Sequence, residues 1–115
     1  MTWKQFQHYL KGKVFLIGLT FVDPNGEVIE RYQTHGTVKR LTNDGIFKIQ
    51  RDDHSFFRIP YDKNTIKLAK HGEYREKSTG ETIRDPDFIM VWEIVTNGEN
   101  ELEHVKKYGY LPKAG

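Results

Sequence analysis

The chain has 115 residues, no cysteine, and a net charge of only +2 from 18 Lys/Arg and 16 Asp/Glu. That length is one domain, residues 1–115, with room for a core, and the missing thiols exclude a disulfide framework, a thiolate zinc site and a thiol nucleophile. The most apolar run, Val14 to Val22, is broken by Gly18 and Thr20 and is strand length, and the start Met1-Thr2-Trp3-Lys4-Gln5 lacks the features of a signal peptide, so the expectation is a cytoplasmic protein without a membrane span.

Thr2-Trp3-Lys4-Gln5 has the spacing of a capping box, and Trp3, Phe6 and Leu10 then share one helical face until Gly12 ends it. Strands are predicted over 14–22, 27–34, 37–41, 46–51, 55–59, 65–69, 73–77, 81–84 and 88–95. Three stretches between them suit a three-residue hairpin loop with a glycine at positive φ: Asp23-Pro24-Asn25-Gly26, Thr42-Asn43-Asp44-Gly45 and Lys77-Ser78-Thr79-Gly80. In the first hairpin, pairing Asp23 with Glu27 places Gly18 opposite Tyr32. Strands 14–22 and 88–95 are the most apolar and read as central, covered on both faces. Glu99 to Tyr108 reads as a second helix, with Leu102, Val105 and Tyr108 at threefold spacing and Gly109 at the C′ position. Acids lead this helix and Lys106-Lys107 close it, as the helix dipole favours. Tyr110 to Gly115 reads as a loose tail. Short strands at regular spacing predict a mainly β fold. The expected form is a small antiparallel barrel with an added hairpin and short N- and C-terminal helices.

Loop length fixes register, and register fixes faces. With Thr42 opposite Ile46, Leu41 faces Phe47 and Arg40 faces Lys48. A three-residue loop at Asp52-Asp53-His54 then sets Ile49 opposite Phe57 and Phe47 opposite Ile59 on the same face. The outward side carries a row of Arg40, Lys48 and Arg58, and behind it a row of Val38, Gln50 and Phe56. Like charges directly opposite each other destabilise a sheet, so this row needs solvent, acidic neighbours or an anionic partner. Lys39 falls on the inward row, a conflict that a bulge would resolve.

Charge is unevenly spread. Residues 36–71 hold eight Lys/Arg against four Asp/Glu, and residues 72–104 hold three against nine. Such asymmetry is either self-complementary within the fold or the mark of a charged partner. Cations around an aromatic suit phosphate contact and base stacking. An exposed aromatic beside arginine is equally the composition of a protein interface. His35, His54 and His71 each fall at a predicted strand end or turn, where they either meet on a rim or make ordinary turn hydrogen bonds. Their spacing matches no metal-binding motif. Asp52-Asp53-His54, and Asp85-Pro86-Asp87 with Glu81, read as polar turns rather than acid–base pairs. Ser78 and Thr79 lie in a turn without a nucleophile elbow. No catalytic residue, metal ligand set or cofactor is assigned.

Residues 36–69 run as Gly36-Thr37-Val38-Lys39-Arg40-Leu41, a tight turn, Ile46-Phe47-Lys48-Ile49-Gln50, a second tight turn, Ser55 to Ile59, Pro60-Tyr61-Asp62-Lys63-Asn64, and Thr65-Ile66-Lys67-Leu68-Ala69. This order resembles the middle of an SH3-like barrel, the class that includes Sm-like proteins, and implies a 3₁₀ turn at 60–64. The Asp and Asn that Sm-like proteins carry in their RNA-binding loop are replaced by Thr42 and Ile46, so the RNA pocket is not implied. The functional expectation is a small binding or assembly module. Val38, Arg40, Lys48, Gln50, Phe56 and Arg58 would contact another protein or a second copy. The rivals are sequence-tolerant nucleic-acid binding and a small metal-dependent hydrolase with a histidine-bearing rim.

Overall fold

A computed structural model describes residues 1–112; the last part of the predicted tail, 113–115, lies outside the described residues. The elements are α1 (Trp3–Leu10), β1 (Val14–Val22), β2 (Val28–Leu41), β3 (Ile46–Gln50), β4 (Phe56–Pro60), a 3₁₀ turn (Lys63–Thr65), β5 (Ile66–Leu68), β6 (Glu73–Arg75), β7 (Thr82–Arg84), β8 (Phe88–Val95) and α2 (Glu99–Tyr108). No described helix is long and apolar enough to cross a membrane.

The protein is mainly β, with six strands in one mixed sheet of order β4-β3-β2-β1-β8-β5 and a separate two-stranded β6–β7 arm. The end strands β4 and β5 do not pair, so the sheet is open and the expected barrel closure is not seen. The expectation of a wholly antiparallel sheet is corrected, because β8 runs parallel to β1 from Phe15↔Phe88 to Val22↔Val95. That parallel pair needs a long crossover, here everything from β2 to the β6–β7 arm.

Alternation divides the sheet into two unlike faces. The inner face carries Phe15, Ile17, Leu19 and Phe21 of β1, Phe47 and Ile49 of β3, Phe57 and Ile59 of β4, and Met90 and Ile94 of β8, all buried. Both helices close this face, α1 through Leu10 and α2 through Leu102 and Val105. The capping box forms as read, with Gln5 N–H donating to Thr2 Oγ1 (3.1 Å) and Thr2 N–H donating to Gln5 Oε1 (2.8 Å). Tyr108, expected on the buried stripe, is half exposed. Tyr110 is tied down rather than loose, its ring 5.9 Å from that of Trp92. β8 is covered on one face only, since Val91 and Val95 are exposed on the other.

The loops behave as their glycines require. Gly26, Gly45 and Gly80 all have φ near +80°, at +85°, +85° and +76°. The Asp52-Asp53-His54 loop has the expected length too: Arg51 N–H bonds Ser55 O, and His54 takes the positive-φ position at +69°. Three registers differ from the reading. A bulge beside Phe21/Val22 shifts the first hairpin by one residue, so Tyr32 faces Leu19 and Gly18 faces Gln33. A second irregularity between Val38 and Arg40 takes Lys39 out of the inward row, as the conflict there demanded. The third loop is one residue longer than expected: Glu76 N–H bonds Glu81 O, and Gly80 N–H bonds Glu76 O.

The predicted break between strands 27–34 and 37–41 is absent, and β2 runs unbroken for 14 residues. Its glycine serves packing, not turning. A Cβ on Gly36 would stand 2.5 Å from Gln50 O and 2.6 Å from Ile49 Cγ2, so β3 approaches β2 closely because Gly36 has no side chain.

Candidate functional site

The register of the basic row is as read. Arg40 pairs with Lys48 and Lys48 with Arg58; at its two ends Arg40 borders a groove shared with α1 and Arg58 one shared with α2. Gln50 lies opposite Phe56 in the same register. Among the described residues, Arg40, Lys48 and Arg58 make no ion pair. The Lys48 ammonium instead sits 4.3 Å over the Phe56 ring, a cation–π contact. Phe56 is half-buried. Val38 is the exception in the predicted site: it is fully buried against Ile49, because the bulge at Lys39 restores its inward phase. The outer face is therefore more cationic and less apolar than the sequence implied.

A second feature is built where β3 stops and β2 continues. β3 accompanies β2 only from Thr37 to Leu41, which leaves the stretch before Gly36 without a paired strand on that side. The resulting notch is a cleft of about 480 Å³. Its floor is Tyr32, Thr34 and His35, and its walls are the β3–β4 turn, the Glu76–Glu81 loop of the arm and the last turn of α2.

Each wall is anchored by identifiable contacts. Arg51 N–H groups donate to Lys106 O (2.9 Å), Lys107 O (2.5 Å) and Ser55 Oγ (3.0 Å). The guanidinium thus closes the C-terminal carbonyls of α2, where a cation is favoured. Lys106 Nζ donates to Glu30 Oε2 at 2.8 Å and to Glu103 Oε1 at 3.3 Å. The Glu30 bond is the main reason its ammonium is held above its ordinary pKa, against the opposing pull of burial. The arm is pinned to β2 by Lys77 N–H donating to Gln33 Oε1 (2.7 Å) and Gln33 N–H donating to Ser78 Oγ (3.0 Å).

His35 stands at the centre. Its Nδ1 lies 2.5 Å from Glu76 Oε2, and its Nε2 lies 3.1 Å from Asp52 Oδ2 and 3.8 Å from Glu81 Oε2. The Glu76 side chain is only 3% exposed. Burial pulls the imidazole pKa down, but the hydrogen bonds and charges of Glu76 and Asp52 outweigh it and hold the ring above its usual value. Asp53 is held below its usual value, chiefly by the Ser55 hydroxyl.

The other residues singled out in the sequence have structural work. His54 is exposed in its turn, and His71 is exposed 3.7 Å from Asp85. Neither lines the cleft with His35. Asp85 accepts from Gly72 N–H (2.7 Å) and Asp87 from Val14 N–H (2.8 Å), so both hold backbone. Thr79 lines the cleft, and Ser78 joins the arm to β2. The sequence reading missed Glu76, because the loop of Lys77-Ser78-Thr79-Gly80 suits either of two lengths and only the longer one folds Glu76 against His35.

Comparison with family models, with curated proteins and with solved structures finds no match to this chain.

Proposed function

We propose that the protein is a small binding module that takes an acidic protein surface on the outer face of its sheet. The observation that supports this is the row of Arg40, Lys48 and Arg58, set directly opposite one another and, among the described residues, without a carboxylate partner. Such a row costs stability in the free protein, and an acidic partner removes that cost while gaining steering and specificity. A second copy would offer such a surface in Glu93, Glu99 and Glu101, which are exposed. Self-association therefore belongs to the same reading. The SH3-like resemblance of residues 36–69 belongs to it as well, on strand order.

Nucleic-acid binding is the rival for the same face. Base stacking needs an open aromatic surface, and here Phe56 is half-buried with Lys48 over its ring. That favours a protein partner. A hydrolase with a histidine-bearing rim would draw on His35 alone of the three histidines, since the other two lie outside the cleft.

The test is light scattering at micromolar concentration, joined to fluorescence anisotropy with a labelled oligoglutamate peptide and a single-stranded RNA. The expected result is a particle heavier than one 13.6 kDa chain, or peptide binding that weakens with salt. Either should be lost in the Arg40→Glu/Arg58→Glu double variant, whose melting temperature should not fall, because the opposed like charges at Lys48 are relieved. Binding of the RNA alone would transfer the face to the nucleic-acid reading. A monomer that ignores both probes would remove it.

A further inference from the structure

The cations lining the cleft are committed elsewhere. Arg51 is spent on the carbonyls of α2, Lys106 on Glu30 and Glu103, and Lys107 lies over the Tyr108 ring. Asp52, Glu76 and Glu81 are left with a single imidazole among them. Two of these carboxylates, on Glu76 and Glu81, and a ring nitrogen of His35 lie within 4.8 Å of one another.

The two nitrogens of His35 have different surroundings. Nδ1 meets the buried Glu76, and Nε2 looks out at the exposed Asp52 and Glu81. With the proton on Nδ1 donated to Glu76, the Nε2 lone pair points toward two carboxylates. That is the order of parts in a carboxylate–histidine–metal relay, where the outer carboxylate fixes the tautomer and raises ligand basicity. Two ligands bound tetrahedrally to zinc at roughly 2.0–2.1 Å stand about 3.3 Å apart; Nε2 is already 3.1 Å from Asp52 and 3.8 Å from Glu81, and rotation of these two exposed side chains would bring both carboxylates onto one ion. One imidazole with hard oxygens suits a borderline divalent ion rather than calcium.

We propose that His35 Nε2, Asp52 and Glu81 form a divalent transition-metal site, with zinc the best-matched ion and Glu76 as the positioning residue behind the ring. The three ligands come from β2, the β3–β4 turn and the arm. The ion therefore clasps the arm and the turn to the sheet and leaves a coordination position facing the cleft. The neutral imidazole together with two carboxylates balances the charge of the ion, and binding releases the imidazole proton.

The experiment uses the full chain, freed of metal with chelator and titrated with zinc and, separately, calcium by calorimetry and thermal melting. Zinc should bind once per chain and raise the melting temperature by linkage, and calcium should do neither. Glu81→Gln and Asp52→Asn alter exposed side chains at the rim of the cleft. Each should weaken zinc at least tenfold; Glu81→Gln should leave the melting temperature of the metal-free protein unchanged, and Asp52→Asn should lower it only slightly, by removing one of the two carboxylates that hold the His35 charge. Glu76→Gln should cost about 10–100-fold in zinc affinity. His71→Ala should leave affinity unchanged, which separates this site from surface histidines. Absence of zinc binding, or zinc affinity unchanged in both Glu81→Gln and His35→Asn, would overturn the site. Equal binding of calcium would overturn the choice of ion.

Discussion

Gly36→Ala sets one methyl group against the sheet's own backbone. The added Cβ would stand 2.5 Å from Gln50 O, 2.6 Å from Ile49 Cγ2 and 3.0 Å from Gln50 C. Two of these are main-chain atoms of the neighbouring strand, so no rotamer change relieves them. Relief requires β3 to move away from β2, or β2 to bend. Overpacking of this kind costs about 1–3 kcal/mol, and a backbone obstacle argues for the upper half of that range. For 115 residues, the entropy of unfolding near the midpoint is about 0.24 kcal/mol per kelvin, from roughly 2.1 cal/mol/K per residue. A loss of about 2.5 kcal/mol is therefore a fall of about 10 °C. Gly18→Ala is the matched control, in the adjacent strand β1 with nothing within 4 Å of its Cβ. It should be neutral or stabilising by about 0.5–1 kcal/mol, because alanine loses less backbone freedom on folding. Thermal melts followed by circular dichroism, with urea titrations for the free energies, compare the two. Equal stability of the two variants, or a more damaged Gly18→Ala, would refute the argument that Gly36 is present for close strand approach.

Arg51→Met keeps the stem but removes the donors to Lys106 O and Lys107 O. It should cost about 1.5–3 kcal/mol, with faster hydrogen exchange in the last turn of α2 as the local readout. Val38 and Phe56 provide a contrast between faces: Val38→Ala should lose about 2 kcal/mol because the site is fully buried. Phe56→Glu, on the outer face beside Lys48 and Arg58, should lose less than about 1 kcal/mol by urea denaturation. A pH dependence follows from His35, whose folded pKa lies above 6.5 through Glu76 and Asp52 despite the opposing effect of burial. A raised folded pKa gives stability that is complete below 6.5 and is lost as pH rises through the folded value. Melting temperatures of chelator-treated protein should fall across that window, and Glu76→Gln should flatten the fall.

Local signals in the chain carried the local structure. The glycine at 45 and the turn at 52–54 set hairpins whose pairings Leu41↔Phe47, Arg40↔Lys48, Lys48↔Arg58 and Ile49↔Phe57 could be read in advance, because a short loop leaves few registers, while at Gly26 a bulge shifted the expected register by one. The conflict at Lys39 announced a bulge but not its effect on Val38, since a bulge changes the phase of every residue on one side of it. The parallel β1–β8 pair was not legible, because strand periodicity carries no partner information over so long a separation. Gly36 misled for a related reason: a glycine admits both a turn and a close approach, and only the partner strand decides which. The site divided the same way. The cationic row follows from loop length alone. The His35 cluster needs the arm folded onto β2 through Gln33, and a one-residue ambiguity in the arm's loop concealed Glu76.

The mismatch between β2 and β3 makes hairpin length a ruler for the cleft. β2 spans 14 residues and β3 only 5, and the notch begins where the shorter strand ends. Lengthening both arms of the β3–β4 hairpin by two residues each would preserve which side chains face inward, because alternation repeats every second residue. It would carry the turn along β2 by about 7 Å, past His35, and replace an open notch with ordinary ladder. A residue added to one arm alone would instead slip the register and turn Phe57 and Ile59 outward. The cleft can therefore be opened or closed only by changing both arms of the hairpin together, while the core beneath it stays as it is.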